Sequence, residues 1–150
     1  FAEWCNSSVG YGMEDANGRP WCLAKDLLFY ENKVYSADTC CFIPEYVNNS
    51  LIARGNDRGP YPLGVSKAGG RSKRYSSRCQ TFSGRKRLGN FLDPLDAHKA
   101  WQLAKIGHLR EVAERYINEP VNREDVYRAI LYRADRIGYD LVNGMVTDRI

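Results

Sequence analysis

Apolar and polar residues change their spacing along this chain, and each change predicts a different element. From Trp21 to Tyr30 and from Thr39 to Ile43 apolar residues gather in short runs. The turn-forming Glu31-Asn32-Lys33 lies between them, so two strands are predicted. Pro44 then opens a helix-like stretch over 45–52, with proline close to where a first turn tolerates it. Residues 53–62 mix Gly, Pro, Asn and charge without apolar periodicity and read as a basic linker between domains.

Beyond that linker the pattern repeats in another form. Strands are predicted at Leu63 to Ser66, Arg74 to Phe82 and Lys86 to Phe91, with Ser83-Gly84 as a turn. A helix follows, with Asp93 as N-cap, Pro94 at its first position and Asp96 in its first turn. Ala97, Ala100, Trp101, Ala104, Leu109, Val112, Ala113 and Tyr116 recur at helical spacing and form one broad apolar face for the sheet. Trp101 is expected to lie between helix and sheet, beside Val65, Tyr75 and Leu88. A last helix is predicted from Asn122 to about Gly138, carrying Val126, Ala129, Ile130, Ala134 and Ile137 on one side.

The expected fold class is α+β. A small ββα unit (1–52) and a linker (53–62) precede a three-stranded sheet packed on a helix (63–117) and a helical extension (118–150).

Charge changes this picture more than composition does. The net charge is only +4, but the basic residues concentrate between Arg54 and Arg87, opposed there by Asp57 alone. Within this stretch 74–82 alternates, with Arg74, Ser76, Arg78 and Gln80 on one face and Tyr75, Ser77, Cys79 and Thr81 on the other. A half-buried strand ordinarily spends its outer face on mixed charges. A run of one sign implies that something anionic lies against it, although a solvated basic face without a partner has the same pattern.

Five cysteines form an odd set without a Cys-x-x-Cys pair, and adjacent Cys40 and Cys41 point to opposite strand faces. They read as reduced, small hydrophobes rather than as a zinc site. No run of 18 apolar residues and no leader segment is visible, so a soluble, intracellular protein without a membrane partner is expected. The first residue is Phe1 rather than Met, which implies a missing natural N-terminus.

Residues 61–105 resemble the APETALA2-type DNA-binding domain, a three-stranded antiparallel sheet backed by one helix. The likeness is carried by Gly64-Val65, Arg74-Tyr75, Leu88-Gly89-Asn90-Phe91, Asp93-Pro94, Ala97, Ala100 and Trp101. In that family the sheet enters the major groove of double-stranded DNA. Carried over by position, the resemblance implies contacts from Ser66, and from Leu63, on the first strand. Arg78 and Gln80 would contact DNA from the second strand, and Arg85 and Arg87 from the third. Lys67, Arg71, Lys73, Arg74 and Lys86 would add phosphate neutralisation. Leu63, Ser66 and Arg87 depart from the types usual in plant members, so docking mode transfers and base preference does not.

Residues 18–49 resemble the ββα core of HNH-type endonucleases of bacteriophages. The likeness rests on Leu23, Lys25, Asp26, Leu28, Asn32, Tyr35, Ser36, Thr39, Cys40, Cys41, Phe42, Pro44 and Asn48. In such enzymes a histidine at the end of the first strand activates water, and a divalent metal, often magnesium, stabilises the leaving oxygen. Both histidines of this chain, His98 and His108, lie in the later helix, and Ala24 stands where relatives carry Asp. The resemblance leaves Lys25, Asp26 and Asn32 as catalytic candidates, and Asp26 with Asn48 as ligands for Mg²⁺ or another divalent cation. Equally, Asp26 and Asn32 shape a turn and Asn48 caps or decorates a helix.

The function implied is a phage-type HNH DNA endonuclease, active or disabled at Ala24, working in the host cytoplasm on the nucleoid. A non-catalytic DNA-binding protein is the alternative, and an RNA or host-protein binder a third.

Overall fold

The computed structural model describes residues 2–29, 32–52 and 59–150. Phe1, the Tyr30-Glu31 part of the expected first strand and turn, and most of the expected linker, with Arg54 and Arg58, lie outside them. The elements in chain order are α1 (Ala2–Ser7), β1 (Cys22–Ala24), β2 (Cys41–Ile43), α2 (Glu45–Ser50), β3 (Val65–Lys67), β4 (Tyr75–Thr81), β5 (Gly84–Phe91), α3 (Pro94–Ile117) and α4 (Glu124–Val142). The class is α+β, as the sequence implies. The chain divides into two compact units, Phe1–Leu51 with Arg110–Tyr132, and Ile52–Leu109 with Arg133–Ile150. No helix among the described residues is long and apolar enough to cross a membrane.

In the first unit β1 and β2 pair antiparallel, Cys22 opposite Ile43, Leu23 opposite Phe42 and Ala24 opposite Cys41. Helix α2 lies against β1. Both strands are shorter than the apolar runs suggest, because side chains of the connecting loop capture its backbone. Asn32 Nδ2 donates to the carbonyls of Lys25 and Val34. Ser36 and Thr39 bond each other, and Thr39 Oγ1 donates to the Val34 carbonyl. A backbone whose donors and acceptors are taken locally is unavailable to a ladder. Pro44 occupies the N-cap of α2 rather than its first turn.

The buried residues of this unit include Trp21, Leu27, Cys41, Ile43 and Val47, together with Val112, Ala113, Tyr116, Val126 and Ile130. The rings of Trp21 and Tyr116 lie 6.2 Å apart. The later apolar positions of α3 thus serve this core, whereas the sequence assigned them all to the three-stranded sheet.

In the second unit β3, β4 and β5 form an antiparallel sheet in chain order. Strand β3 starts at Val65 rather than Leu63, because the Val65 N–H is turned back onto the Pro62 carbonyl. Strand β5 starts at Gly84, two residues earlier than expected, closing the hairpin directly at Thr81. Helix α3 begins as its signals predict, with the Leu95 N–H donating to Asp93 Oδ1 at 2.8 Å.

Trp101 is buried, and a Cβ built on Gly64 would sit 2.1 Å from its Cδ1. The indole therefore packs directly on the backbone just before β3. Helix α4 runs past Gly138 to Val142. A Cβ at Gly138 would meet Ile106 Cδ1 at 3.8 Å, an ordinary contact, and the helix runs through this glycine rather than ending at it.

Candidate nucleic-acid interface

The register of the three-stranded sheet decides which of the basic residues act together. Arg78 lies opposite Arg87, Gln80 opposite Arg85, and Ser76 opposite both Ser66 and Asn90. Arg78, Gln80, Arg85 and Arg87 are exposed and the alternate Ser77 and Cys79 are buried, but Ser76, expected on the arginine face, is buried as well. One sheet face thus packs inward and the other carries three guanidinium groups and an amide.

A bulge between Ser77 and Arg78 carries this face on to Asn90. Gly89 pairs with Ser77 and Arg87 with Arg78, leaving Leu88 as the extra residue of β5. Gly89 adopts φ +142, a conformation that side chains resist. The bulge resets the alternation, so that Arg85, Arg87 and Asn90 share a face although they are not evenly spaced in twos.

The other expected contacts fall differently. Lys86 opposes Cys79 and Lys67 opposes Tyr75, which puts both in the phase of the inward face, exposed at the edge strands. Arg71 and Lys73 lie in the β3–β4 connection, and Arg74 directly precedes β4. All three are exposed, and the Arg74 carbonyl accepts from the Ala68 N–H. Leu63 is buried. Among the described residues no carboxylate lies within ion-pair distance of Arg78, Arg85 or Arg87. Three cations on one sheet face without an acid make a local positive potential suited to a polyanion.

In the first unit Asn32 is a brace. Its amide donates twice to backbone carbonyls, at 2.7 Å and 2.6 Å, and its Oδ1 accepts from the Val34 N–H at 3.2 Å. The ammonium of Lys25 sits 5.3 Å from the centroid of the Tyr35 ring, a cation–π contact. Asp26 is exposed and Asn48 half-buried on α2. Strand β1 ends at Ala24, so strict alternation does not govern Lys25 and Asp26. Ala24 itself is only 6% exposed. No cluster of three or more His, Cys, Asp or Glu that could share a cation occurs among the described residues. One carboxylate and one amide are too few donors for magnesium to be held by the protein alone.

Sequence reasoning missed a polar stripe on α3. His98, Gln102, Lys105 and His108 are all buried in the second unit. They recur at helical spacing among Ala97, Trp101 and Leu109, which was the available signal. Burial, aided by the nearby Lys105 ammonium, pulls His108 down to about 4, and burial brings Lys105 down to about 8. Burial pushes the Cys79 thiol up, and Cys41 up to about 12, so neither is a ready nucleophile.

These shifts have a direction in stability. Between the ordinary histidine value of 6.5 and about 4 the unfolded chain binds the His108 proton and the folded chain does not. Acidification through that window therefore favours unfolding, by up to about 1.4 kcal/mol per pH unit. Thermal melts from about pH 6.5 to pH 4.5 are expected to fall more steeply for this protein than for His108→Gln. Equal slopes would show that the folded state protonates His108 without cost.

No protein-family model matches the chain, and neither a curated protein nor a solved structure is significantly similar to it.

Proposed function

We propose that this protein binds double-stranded DNA, with the outward face of the β3–β4–β5 sheet in the major groove. The observation that carries the reading is the direct opposition of Arg78 to Arg87, beside Gln80 and Arg85, on one exposed face. Like charges directly opposite weaken a sheet. A polyanion gives such a pair its rationale, because phosphates neutralise the cations, while Arg and Gln make forked contacts to guanine and adenine edges.

The test is duplex affinity against salt. Each neutralised phosphate contributes a log–log slope of about −0.9, so a handful gives roughly −4. A flat response would overturn the reading, and equal competition by double-stranded RNA would favour an RNA-binding protein.

A second reading is an endonuclease of the HNH type, supported by the antiparallel β1–β2 pair with α2 against it and the Asn32-braced loop between the strands. Among the described residues no group of three or more His, Cys, Asp or Glu that could hold a cation occurs, so no hydrolytic step is derived from Asp26. The same duplex, supplied as plasmid with magnesium or manganese, separates the two readings. Nicking by this chain or by a folded Ala24→Asp variant, abolished by a chelator, would establish the nuclease. Binding without nicking in both leaves DNA binding alone.

A further inference from the structure

His98 is 1% exposed, and both of its ring nitrogens are engaged. Nδ1 lies 2.9 Å from the Leu63 carbonyl oxygen, and Nε2 lies 3.0 Å from the Thr147 backbone nitrogen. A carbonyl only accepts and a backbone N–H only donates. The ring is therefore neutral, with its proton on Nδ1.

One turn further along α3, Gln102 Nε2 donates to the Met145 carbonyl and to Thr147 Oγ1, both at 3.0 Å. Thr147 Oγ1 donates in turn to Asp140 Oδ2 at 2.7 Å, and the Met145 N–H donates to the Asp140 carbonyl at 2.7 Å. Thr147 is 2% exposed, although Met145, Val146, Asp148 and Arg149 around it are exposed. A segment without regular structure buries its backbone only where such bonds replace water.

We propose that residues 145–147 form a strap, closed by His98, that fixes the Leu63 carbonyl at the approach to β3, and that proton uptake by His98 opens it. Leu63 is followed by Gly64, whose carbonyl accepts from the Arg78 N–H at 2.9 Å, so the strap holds the chain at the point where β3 joins the arginine-bearing strand. Protonation turns the Nε2 acceptor into a donor facing the Thr147 N–H, and that bond is lost. The bonds from Gln102 do not titrate.

The charged groups of the elements that carry these bonds include Asp140, Asp148, Arg149, Asp96 and Lys99, with Lys105 and Arg133 buried in the same unit. Asp140 of α4 is engaged by Thr147. Asp148 and Arg149 of the tail, and Asp96 and Lys99 of α3, are exposed. Trp101 stacks on the imidazole at 5.5 Å between centroids. Any effect on DNA affinity rests on the reading of the sheet as a DNA-binding face, but the strap itself does not.

The experiment follows Thr147 amide exchange and the His98 ring ¹⁵N signals in the full chain from about pH 8 to pH 5. Near neutral pH the ring is expected to show the Nδ1–H tautomer. Thr147 protection, corrected for intrinsic exchange, is expected to fall at least about tenfold as the ring titrates. His98→Gln keeps a donor and an acceptor without titrating, and its protection is expected to stay level.

An Nε2–H ring near neutral pH, or wild-type protection unchanged through the titration, would overturn the strap. Both are wild-type measurements and stand even if the variant fails to fold. Duplex affinity at fixed salt is read in parallel. A decline in step with the exchange links strap to sheet, and a level affinity overturns that link. Absence of duplex binding near neutral pH is the separate failure of the DNA reading.

Discussion

Gly64→Ala is expected to destabilise the second unit by about 2–5 kcal/mol, from two independent causes. Gly64 adopts φ +78, where a Cβ meets its own backbone. That Cβ would also fall 2.1 Å from Cδ1, 2.2 Å from Cγ and 2.6 Å from Cβ of Trp101. The last atom is bonded to the backbone of α3, so no rotamer of the indole relieves the clash. The helix or the approach to β3 must move, and with it the register that puts Ser66 beside Ser76. Gly69 has no such contact and no strained backbone. Gly69→Ala is accordingly expected to lie within about 0.5 kcal/mol of the parent in denaturant unfolding. Similar midpoints for the two variants would mean that Trp101 does not pack on Gly64.

Arg78→Ala with Arg87→Ala is expected to move stability and binding in opposite directions. Each guanidinium removed from a base or phosphate contact costs about 1–3 kcal/mol of duplex affinity. Their direct opposition across β4 and β5 makes the two losses coupled rather than additive. The same opposition burdens the sheet, and its removal should raise stability by roughly 0.2–1 kcal/mol. Weaker binding with a higher melting temperature marks a functional pair. Weaker binding with a lower one would mean that the arginines mainly support the fold.

The fold was largely legible because its strongest signals are local. Asp93, Pro94 and the apolar spacing after them fix where α3 starts and that it is long. The alternation of 74–82 identifies the inward residues Ser77 and Cys79 and the outward Arg78 and Gln80. Three things were not legible. The ends of β1 and β2 depend on Asn32, Ser36 and Thr39 capturing backbone groups several residues away, which run lengths do not reveal. Val112, Ala113 and Tyr116 share a helical face with Trp101, and periodicity cannot say that one face serves two cores. His98 stood out only as a histidine in the wrong place for a nuclease. Its role depends on Thr147, 49 residues later in the chain.

The extra residue in β5 separates shape from chemistry. A bulged strand bends and twists more than its partner, so the arginine face is curved before anything touches it. Leu88 stands outside the pairing, between Arg87 opposite Arg78 and Gly89 opposite Ser77. A ladder without it would keep every cross-strand partner and every charge and lose chiefly the curvature, together with one half-buried side chain. The backbone thus holds one setting for how the face is bent and the side chains another for what it attracts. Each can change through the generations while the other stays fixed.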